Sequence, residues 1–243
     1  MALYFTSALK VSINMLPVLG VLMFGLRRYV AWTSRSAMNL AYRDAALVYV
    51  GVLYAGLAIV WHIGALPVRA FAYPHLSPWR ITLGLVLVLP CAIAPYWLEL
   101  AVSRALRGRS RLAASGLAHA RESAESLGTG AVRFGLVAVA TAVGEETLFR
   151  GAVLHEVTVH RGPLLALAAV SVIFGLHHMS FGVPAIAGKM LGGALWGMLM
   201  LLTGVIAVPL VAHLLFQLLV YRRMARTRAQ ATPAARVPGM AAA

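Results

Sequence analysis

The chain has 243 residues, of which 61% are hydrophobic and only 12% are charged, and its formal net charge is +14. A soluble domain of ordinary composition has about 25% charged residues. A soluble chain of this length could not remove so much apolar surface from water in one core. The composition therefore excludes an ordinary soluble protein and predicts a membrane protein.

The positive charge does not indicate a nucleic-acid-binding protein. The basic residues lie between the apolar runs and do not form one continuous basic face. They are typical of loop charges that orient helices and contact anionic lipid headgroups. We therefore expect the lipid bilayer as a partner and no nucleic acid.

Uncharged runs define the predicted helices in chain order. They occur at 11–26, 45–68, 81–98, 134–144, 162–188 and 190–221. A spanning helix needs about 20 mostly apolar residues. The last run is long enough for two elements, and a break is predicted at 203–209, where Gly and Pro occur. The pattern predicts an all-α, polytopic membrane helical bundle with about 7–8 membrane segments.

The charge distribution suggests three parts of the chain. Residues 1–129 would form N-terminal membrane helices and a polar loop, residues 130–221 a core, and residues 222–243 a basic, disordered tail. With seven spans the basic clusters fall on one side, which the positive-inside rule makes cytoplasmic. The arginine-rich composition is typical of a GC-rich bacterial genome, so we expect a multi-pass protein of the bacterial inner membrane.

The stretch VGEETLFRGAV at 143–153 places two carboxylates in an apolar setting. The run before them is too short to span a membrane unless the helix continues through Glu145 and Glu146. On such a helix Glu146 and Arg150 are four residues apart and share one face, whereas Glu145 is rotated by about 100° and lacks this partner. Intramembrane charges persist when they are paired, face a polar cavity or do chemistry. The alternative is a helix end at the membrane surface with both groups solvated.

Two further stretches carry polar side chains in helical register. Phe174 and His178 are four residues apart, as are His213 and Gln217. His177 points in a different direction from His178 on a helix, so we expect only one of them to act. The alternatives are a packed histidine and an interhelical hydrogen-bond pair.

Together these side chains suggest a hydrolase. A glutamate with a histidine can activate water, and a second histidine with an amide can stabilise an oxyanion. These are the parts of a peptide-bond hydrolase that requires no serine, cysteine or metal.

The three motifs also resemble those of a known family. Glu-Glu-x-x-x-Arg (145–150), Phe-x-x-x-His (174–178) and His-x-x-x-Gln (213–217) follow one another in the chain. They resemble the signature motifs of the CPBP family of intramembrane proteases, which includes CAAX prenyl endopeptidases and bacteriocin-processing or immunity proteins. The resemblance covers roughly residues 130–221 and departs at Gln217, where many members carry Asn. It implies four catalytic residues and three supporting ones: Glu145, His178, His213 and Gln217, then Glu146, Arg150 and Phe174.

The resemblance also implies a role for each residue. Glu145 would be the general base, His178 would position or activate water, and His213 with Gln217 would stabilise the oxyanion. Glu146 and Arg150 would shape the site beside Phe174. This describes a glutamic-type intramembrane endopeptidase with no metal cofactor. A zinc ion bound by Glu145 and two histidines stays open as an alternative, although the chain has no H-E-x-x-H pattern.

The expected substrate is a membrane-anchored or lipidated polypeptide, and trimming of C-terminal sorting anchors is one such activity. Two other functions stay open: a non-enzymatic membrane immunity or interaction protein, and a small proton-coupled transporter. One geometric difficulty arises, because seven regular spans would separate Glu145 from His178. A helix break near Gly144, with 145–160 as a separate inserted helix, is expected to bring them to one depth.

Overall fold

The computed structural model describes residues 7–21, 35–66, 77–106 and 131–231, and these residues are helical with no β-strand. The predicted all-α class is therefore confirmed for this part of the chain. The α-helices are α1 (Ser7–Gly20), α2 (Arg35–His62), α3 (Pro78–Ala105), α4 (Ala131–Glu146), α5 (His155–Arg161), α6 (Pro163–Leu176), α7 (Val183–Thr203) and α8 (Ala207–Ala231). A π-helical segment, Thr147–Leu154, joins α4 to α5, and a short 3₁₀ turn, Met179–Phe181, precedes α7.

Two of the described helices, α3 and α7, are long and apolar enough to cross a membrane. Large apolar side chains are exposed on the outside of the bundle, among them Leu164 and Val86. Such a surface suits lipid and not water. The predicted number of 7–8 segments and the sidedness stay predictions, and the polar loop at 107–130 lies outside the described residues.

The helix continues through the two glutamates, as the short run before them required. Helix α4, the π-helical segment and α5 follow one another without interruption from 131 to 161. The predicted break near Gly144 is wrong, because α4 runs through Gly144 to Glu146 and the π-helical segment then continues the helix. Every residue from 148 to 154 is buried. Single π turns inside α-helices are frequent at functional sites.

A chain reversal at Gly162 brings Glu145 and His178 to one depth. Gly162 has a positive φ of 87°, which a residue with a Cβ rarely adopts, and Pro163 starts α6 immediately afterwards. The two site residues lie almost equally far along the chain from this turn. Since each helical residue advances about 1.5 Å, the antiparallel helices return the chain to the level of Glu145.

Helix α7 is central to the bundle and packs against α3 and α6. A Cβ on Gly193 would lie 2.8 Å from the Cα of Ser171, so only glycine permits this approach of α6 to α7. Helix α8 packs on α3, α4 and α7. The helices of the N-terminal part thus contact the core directly.

The first turn of α1 is fixed to the core by polar contacts. The Glu156 carboxylate accepts hydrogen bonds from the backbone N–H groups of Ser7 (2.8 Å) and Ala8 (2.6 Å) at the first turn of α1. This satisfies donors that a helix N-terminus leaves unpaired. Helix α1 is therefore a docked part of the fold.

The end of α7 falls in the predicted break. Helix α7 stops at Thr203, Gly204 has φ 68°, and α8 begins at Ala207. Helix α8 then extends to Ala231, so the first part of the predicted disordered tail is helical. Residues 232–243 lie outside the described residues.

Candidate active site

The three motifs meet at the carboxylate of Glu145. This side chain is fully buried. Its Oε1 lies 3.4 Å from Nε2 of His178, and its Oε2 lies 3.3 Å from Nε2 of His213. The structure therefore brings together one carboxylate and two imidazoles from three separate segments, at one depth.

Glu146 is held by a cation and an imidazole. Its Oε1 lies 3.2 Å from Nη1 of Arg150 and 2.9 Å from Nδ1 of His213. The other terminal nitrogen of Arg150, Nη2, is 3.4 Å from the carbonyl oxygens of both Gly192 and Gly193. The predicted Glu146–Arg150 pair is present, and it also fixes α7 and orients His213.

The partners of each imidazole determine its tautomer. Nδ1 of His178 lies 2.9 Å from the carbonyl oxygen of Phe174. A carbonyl only accepts hydrogen bonds, so this Nδ1 carries a proton; the same holds for Nδ1 of His213 beside the Glu146 carboxylate. In the neutral form, both Nε2 atoms are then acceptors that face Glu145. Each ring can therefore accept a proton at Nε2, the nitrogen nearest the carboxylate.

Gln217 lies one helical turn after His213, as predicted. Its Nε2 is 3.5 Å from Nε2 of His213, a long contact in which the amide donates to the imidazole lone pair. The amide has a second N–H that this contact leaves available. Gln217 can therefore donate to a substrate oxygen directly, whereas Nε2 of His213 can donate only after it has been protonated.

Aromatic rings form one wall of the site. Trp196 stacks on His213 with a centroid distance of 4.2 Å and an interplanar angle of 24°. The edge of Phe174 contacts His178 at 5.0 Å, and Arg150 lies 4.7 Å from the Phe174 ring centroid. Nε1 of Trp196 donates a hydrogen bond to the carbonyl oxygen of Cys91 on α3 at 3.0 Å. Phe174 thus packs beside the site, and Trp196 fixes the plane of His213.

His177 points away from this cluster, in agreement with the expectation that only one of the adjacent histidines faces it. Its Nε2 lies 3.0 Å from the carbonyl oxygen of Ser12 on α1. Its position is therefore that of a docking contact for α1.

Sequence reasoning missed two polar residues at the site. The hydroxyl of Tyr49 on α2 donates a hydrogen bond to Oε1 of Glu145. Lys189 is only 6% exposed, and its Nζ lies near the rings of Phe174 and Trp196, which line the site. Tyr49 gave no signal, because a tyrosine in an apolar helix is common. Lys189 does give a signal in the sequence, because it is the lone charge between the two longest uncharged runs.

The cluster has one side nearer to solvent. Glu145 and His213 are fully buried, whereas the side chain of His178 is 10% exposed. Oε2 of Glu145 has no directed hydrogen bond within the described part of the chain. A water molecule or a peptide group would therefore approach Glu145 from the His178 side.

The described residues contain no group of three or more His, Cys, Asp or Glu side chains arranged to hold a metal ion. Glu145 and the two imidazoles converge, but both carboxylate oxygens already face nitrogen atoms, and Oε1 also accepts from Tyr49. A metal-free site stays an expectation that metal analysis must test.

Comparisons with known proteins identify the family of this region. The family described as type II CAAX prenyl endopeptidase, Rce1-like, matches residues 128–219, which is less than half of the chain but includes all three motifs. No curated protein and no solved structure matches the chain. The Rce1-like family consists of integral membrane proteases, in agreement with the apolar helices α3 and α7. The resemblance drawn from the three motifs is confirmed: residues 128–219 match the family described as type II CAAX prenyl endopeptidase, Rce1-like.

Proposed function

We propose that this protein is a glutamic-type intramembrane endopeptidase in which Glu145 activates the attacking water. One observation carries the proposal: the buried carboxylate of Glu145 faces Nε2 of His178 and of His213 at 3.4 and 3.3 Å. A buried base beside two proton acceptors is the arrangement that general acid–base catalysis requires.

In the first step, a water molecule between His178 and Glu145 gives a proton to Oε2 of Glu145. Its oxygen forms a bond to the peptide carbonyl carbon, and the carbonyl π electrons move to the oxygen. Oε2 is suited to this role because Oε1 is occupied by the Tyr49 hydroxyl. The free N–H of the Gln217 amide donates to the resulting oxyanion.

In the second step, the proton on Oε2 is transferred to the leaving amine as the C–N bond breaks and the carbonyl reforms. Nε2 of His213, at 3.3 Å, can hold this proton in transit. The Glu146 carboxylate at Nδ1 would stabilise the imidazolium, because an ionised acceptor strengthens the hydrogen bond from a cation. The water is fully accounted for, because its hydroxyl group is on the acyl product and its proton is on the amine.

The proposed substrate is a membrane-anchored or lipidated polypeptide. The site is enclosed by apolar helices, and the matched family takes its name from the CAAX prenyl substrates of its members. A bacterial chain would act on a protein anchored by a C-terminal apolar helix, such as a sorting anchor. Both anchors present an extended peptide segment next to a hydrophobic group.

The test compares wild type with Glu145→Gln in proteoliposomes. Two quenched-fluorescence probes are used: a farnesylated peptide ending in a CAAX box, and a peptide followed by a C-terminal apolar helix. Glu145→Gln keeps the size of the side chain but removes the base, so kcat should fall by at least about 100-fold. His177→Gln is the matched control, because its imidazole contacts Ser12 and should leave kcat within about twofold.

The outcomes separate the proposed activity from the alternatives. Cleavage of either probe by wild type and not by Glu145→Gln supports the protease and shows which anchor it accepts. Equal cleavage by both proteins would refute the role of Glu145. Proton flux without proteolysis would instead support a transporter, and loss of activity with chelators, restored by zinc, would support a metal mechanism.

A further inference from the structure

Lys189 is a buried cation that has no role in the two proposed steps of the reaction. It lies in the interior of α7 and is only 6% exposed. Within the described part of the chain, its ammonium group makes no hydrogen bond and no ion pair within 4.0 Å, and its close contacts are with aromatic rings. A buried charge is costly unless another charge or a polar partner compensates it.

Three aromatic rings surround the ammonium group. Nζ of Lys189 lies 4.6 Å from the ring centroid of Phe216, 5.4 Å from that of Phe174 and 5.8 Å from that of Trp196. Aromatic faces attract a cation within about 6 Å through their quadrupole. The rings attract the ammonium group and separate it from direct contact with a carboxylate.

Two of the three carboxylates Glu99, Glu145 and Glu146 are each paired with an arginine. Glu146 lies 3.2 Å from Arg150, and Glu99 on α3 lies 3.5 Å from Arg223 on α8. Glu145 has no such guanidinium among the described residues; its contacts are with a hydroxyl and two imidazoles. Lys189 contacts the rings of Phe174 and Trp196, and these rings in turn contact His178 and His213, the two imidazoles beside Glu145.

We propose that Lys189 is the counter-charge of Glu145, a positioning residue that keeps this carboxylate ionised. The inference rests on the proposed function, since it assigns Lys189 a part in the same reaction. With Lys189 charged, the three carboxylates and three cations balance without a proton on either histidine. Without it, the buried cluster would have one excess negative charge, which a proton on Glu145 would remove.

The same charge remains useful as the reaction proceeds. When water gives its proton to Oε2 of Glu145 and its oxygen bonds to the carbonyl carbon, the negative charge moves from Glu145 to the oxyanion. No net charge enters or leaves the cluster. Lys189, held by the rings that also contact His178 and His213, can balance the negative charge in both states, so the pocket needs no solvent rearrangement.

Every titratable or charged group that faces Glu145 affects the pH at which this carboxylate ionises. These are Tyr49 from α2, Glu146 and Arg150 from its own helical stretch, His178 after α6, Lys189 from α7 and His213 from α8, with Glu99 of α3 behind Lys189. Lys189→Met removes one positive charge from this set and preserves the length of the side chain. The ionised base is then less favoured, so a higher pH is needed to form it.

The experiment measures kcat/KM against pH in proteoliposomes with whichever of the two probes wild type cleaves. For Lys189→Met, the acidic limb should move up by about one pH unit or more, which is a tenfold or greater loss of rate on that limb. Lys189→Arg should restore the limb to within about 0.3 pH unit, because it restores the charge. Arg222→Met is the matched control: it removes a charge from an exposed position on α8 and should leave the limb in place.

Each result has a definite meaning. A wild-type limb in Lys189→Met, with Glu145→Gln inactive, would refute the counter-charge and leave the proposed protease intact. A uniform loss of kcat without a shift, repeated in Lys189→Arg, would show a packing role and also refute it. If Lys189→Met does not fold, Lys189→Gln is used in its place, with the same limb shift expected and the same unshifted limb refuting the proposal.

Discussion

Replacing Glu146 by Gln tests whether the Glu146–Arg150 pair stabilises the fold. The substitution keeps the shape of the side chain but removes a charge that faces Nη1 of Arg150 at 3.2 Å and Nδ1 of His213 at 2.9 Å. Both Glu146 and Arg150 are at most 1% exposed, so water cannot replace the lost carboxylate. The guanidinium would keep its two long contacts to the carbonyls of Gly192 and Gly193 and its contact with the Phe174 ring, but none of these partners carries a negative charge.

The expected cost follows from this burial. Breaking a buried ion pair by removing one partner costs about 3–5 kcal/mol, because a charge is left uncompensated. Native proteins are stable by only about 5–15 kcal/mol. We therefore expect Glu146→Gln to lose a large share of the free energy of unfolding. The same change at Glu99, whose pair with Arg223 is partly exposed at 18% and 24%, should cost at most about 1 kcal/mol.

A double variant separates stability from activity. Glu146→Leu with Arg150→Met removes both charges and fills the space with apolar atoms, which is often neutral or stabilising by about 1–4 kcal/mol. The unfolding free energy should return to near the wild-type value. Cleavage should not return, because Nδ1 of His213 has lost the carboxylate that sets its tautomer.

The assay is equilibrium unfolding by SDS titration in mixed micelles, followed by tryptophan fluorescence, with Trp196 as a fully buried reporter next to the pair. Probe cleavage is measured on the same preparations. Wild-type stability in Glu146→Gln would refute the argument for a buried, uncompensated charge. A double variant less stable than the single one would show that the ion pair itself contributes net stability.

The remaining predictions concern single contacts. Tyr49→Phe removes the hydroxyl that donates to Glu145, so kcat should fall by about tenfold or more, since hydrogen bonds to charged groups contribute about 1.5–3 kcal/mol; an unchanged kcat would contradict this. His177→Ala should lower the unfolding free energy by about 1–3 kcal/mol through loss of the contact with Ser12 while kcat stays near wild type, and a selective loss of kcat would place His177 in the reaction. Gln217→Ala should lower kcat by about 100-fold with little change in KM, as expected for the loss of one oxyanion donor, and a change in KM alone would speak against that role.

Several features of the site were predictable because they depend on local helical periodicity. Four-residue spacing on one helix determines that Glu146 meets Arg150 and that His213 lies one turn from Gln217. The same periodicity predicted that the helix continues through Glu145 and that His177 and His178 diverge. These relations need no knowledge of the neighbouring helices.

The course of the chain near Gly144 was harder to predict, because it depends on where helices turn. The number of membrane segments stays a prediction. The structure has no break near Gly144; the reversal at Gly162 and a π-helical turn place Glu145 level with His178. A π turn depends on how buried side chains such as Phe149 and Leu154 pack against neighbours that are distant in the sequence. A hydropathy profile contains no information on such packing contacts.

The sequence by itself determined the membrane class, the helical content and the three motifs, because composition and short-range spacing act along a single helix. Only the tertiary structure decided that Glu145 has Tyr49 and two imidazoles as partners, and that Lys189 lies among three aromatic rings near it. Those contacts join α2, α4, α6, α7 and α8. The relative position of separate helices is set by packing across the whole bundle, which residue spacing in one stretch does not contain.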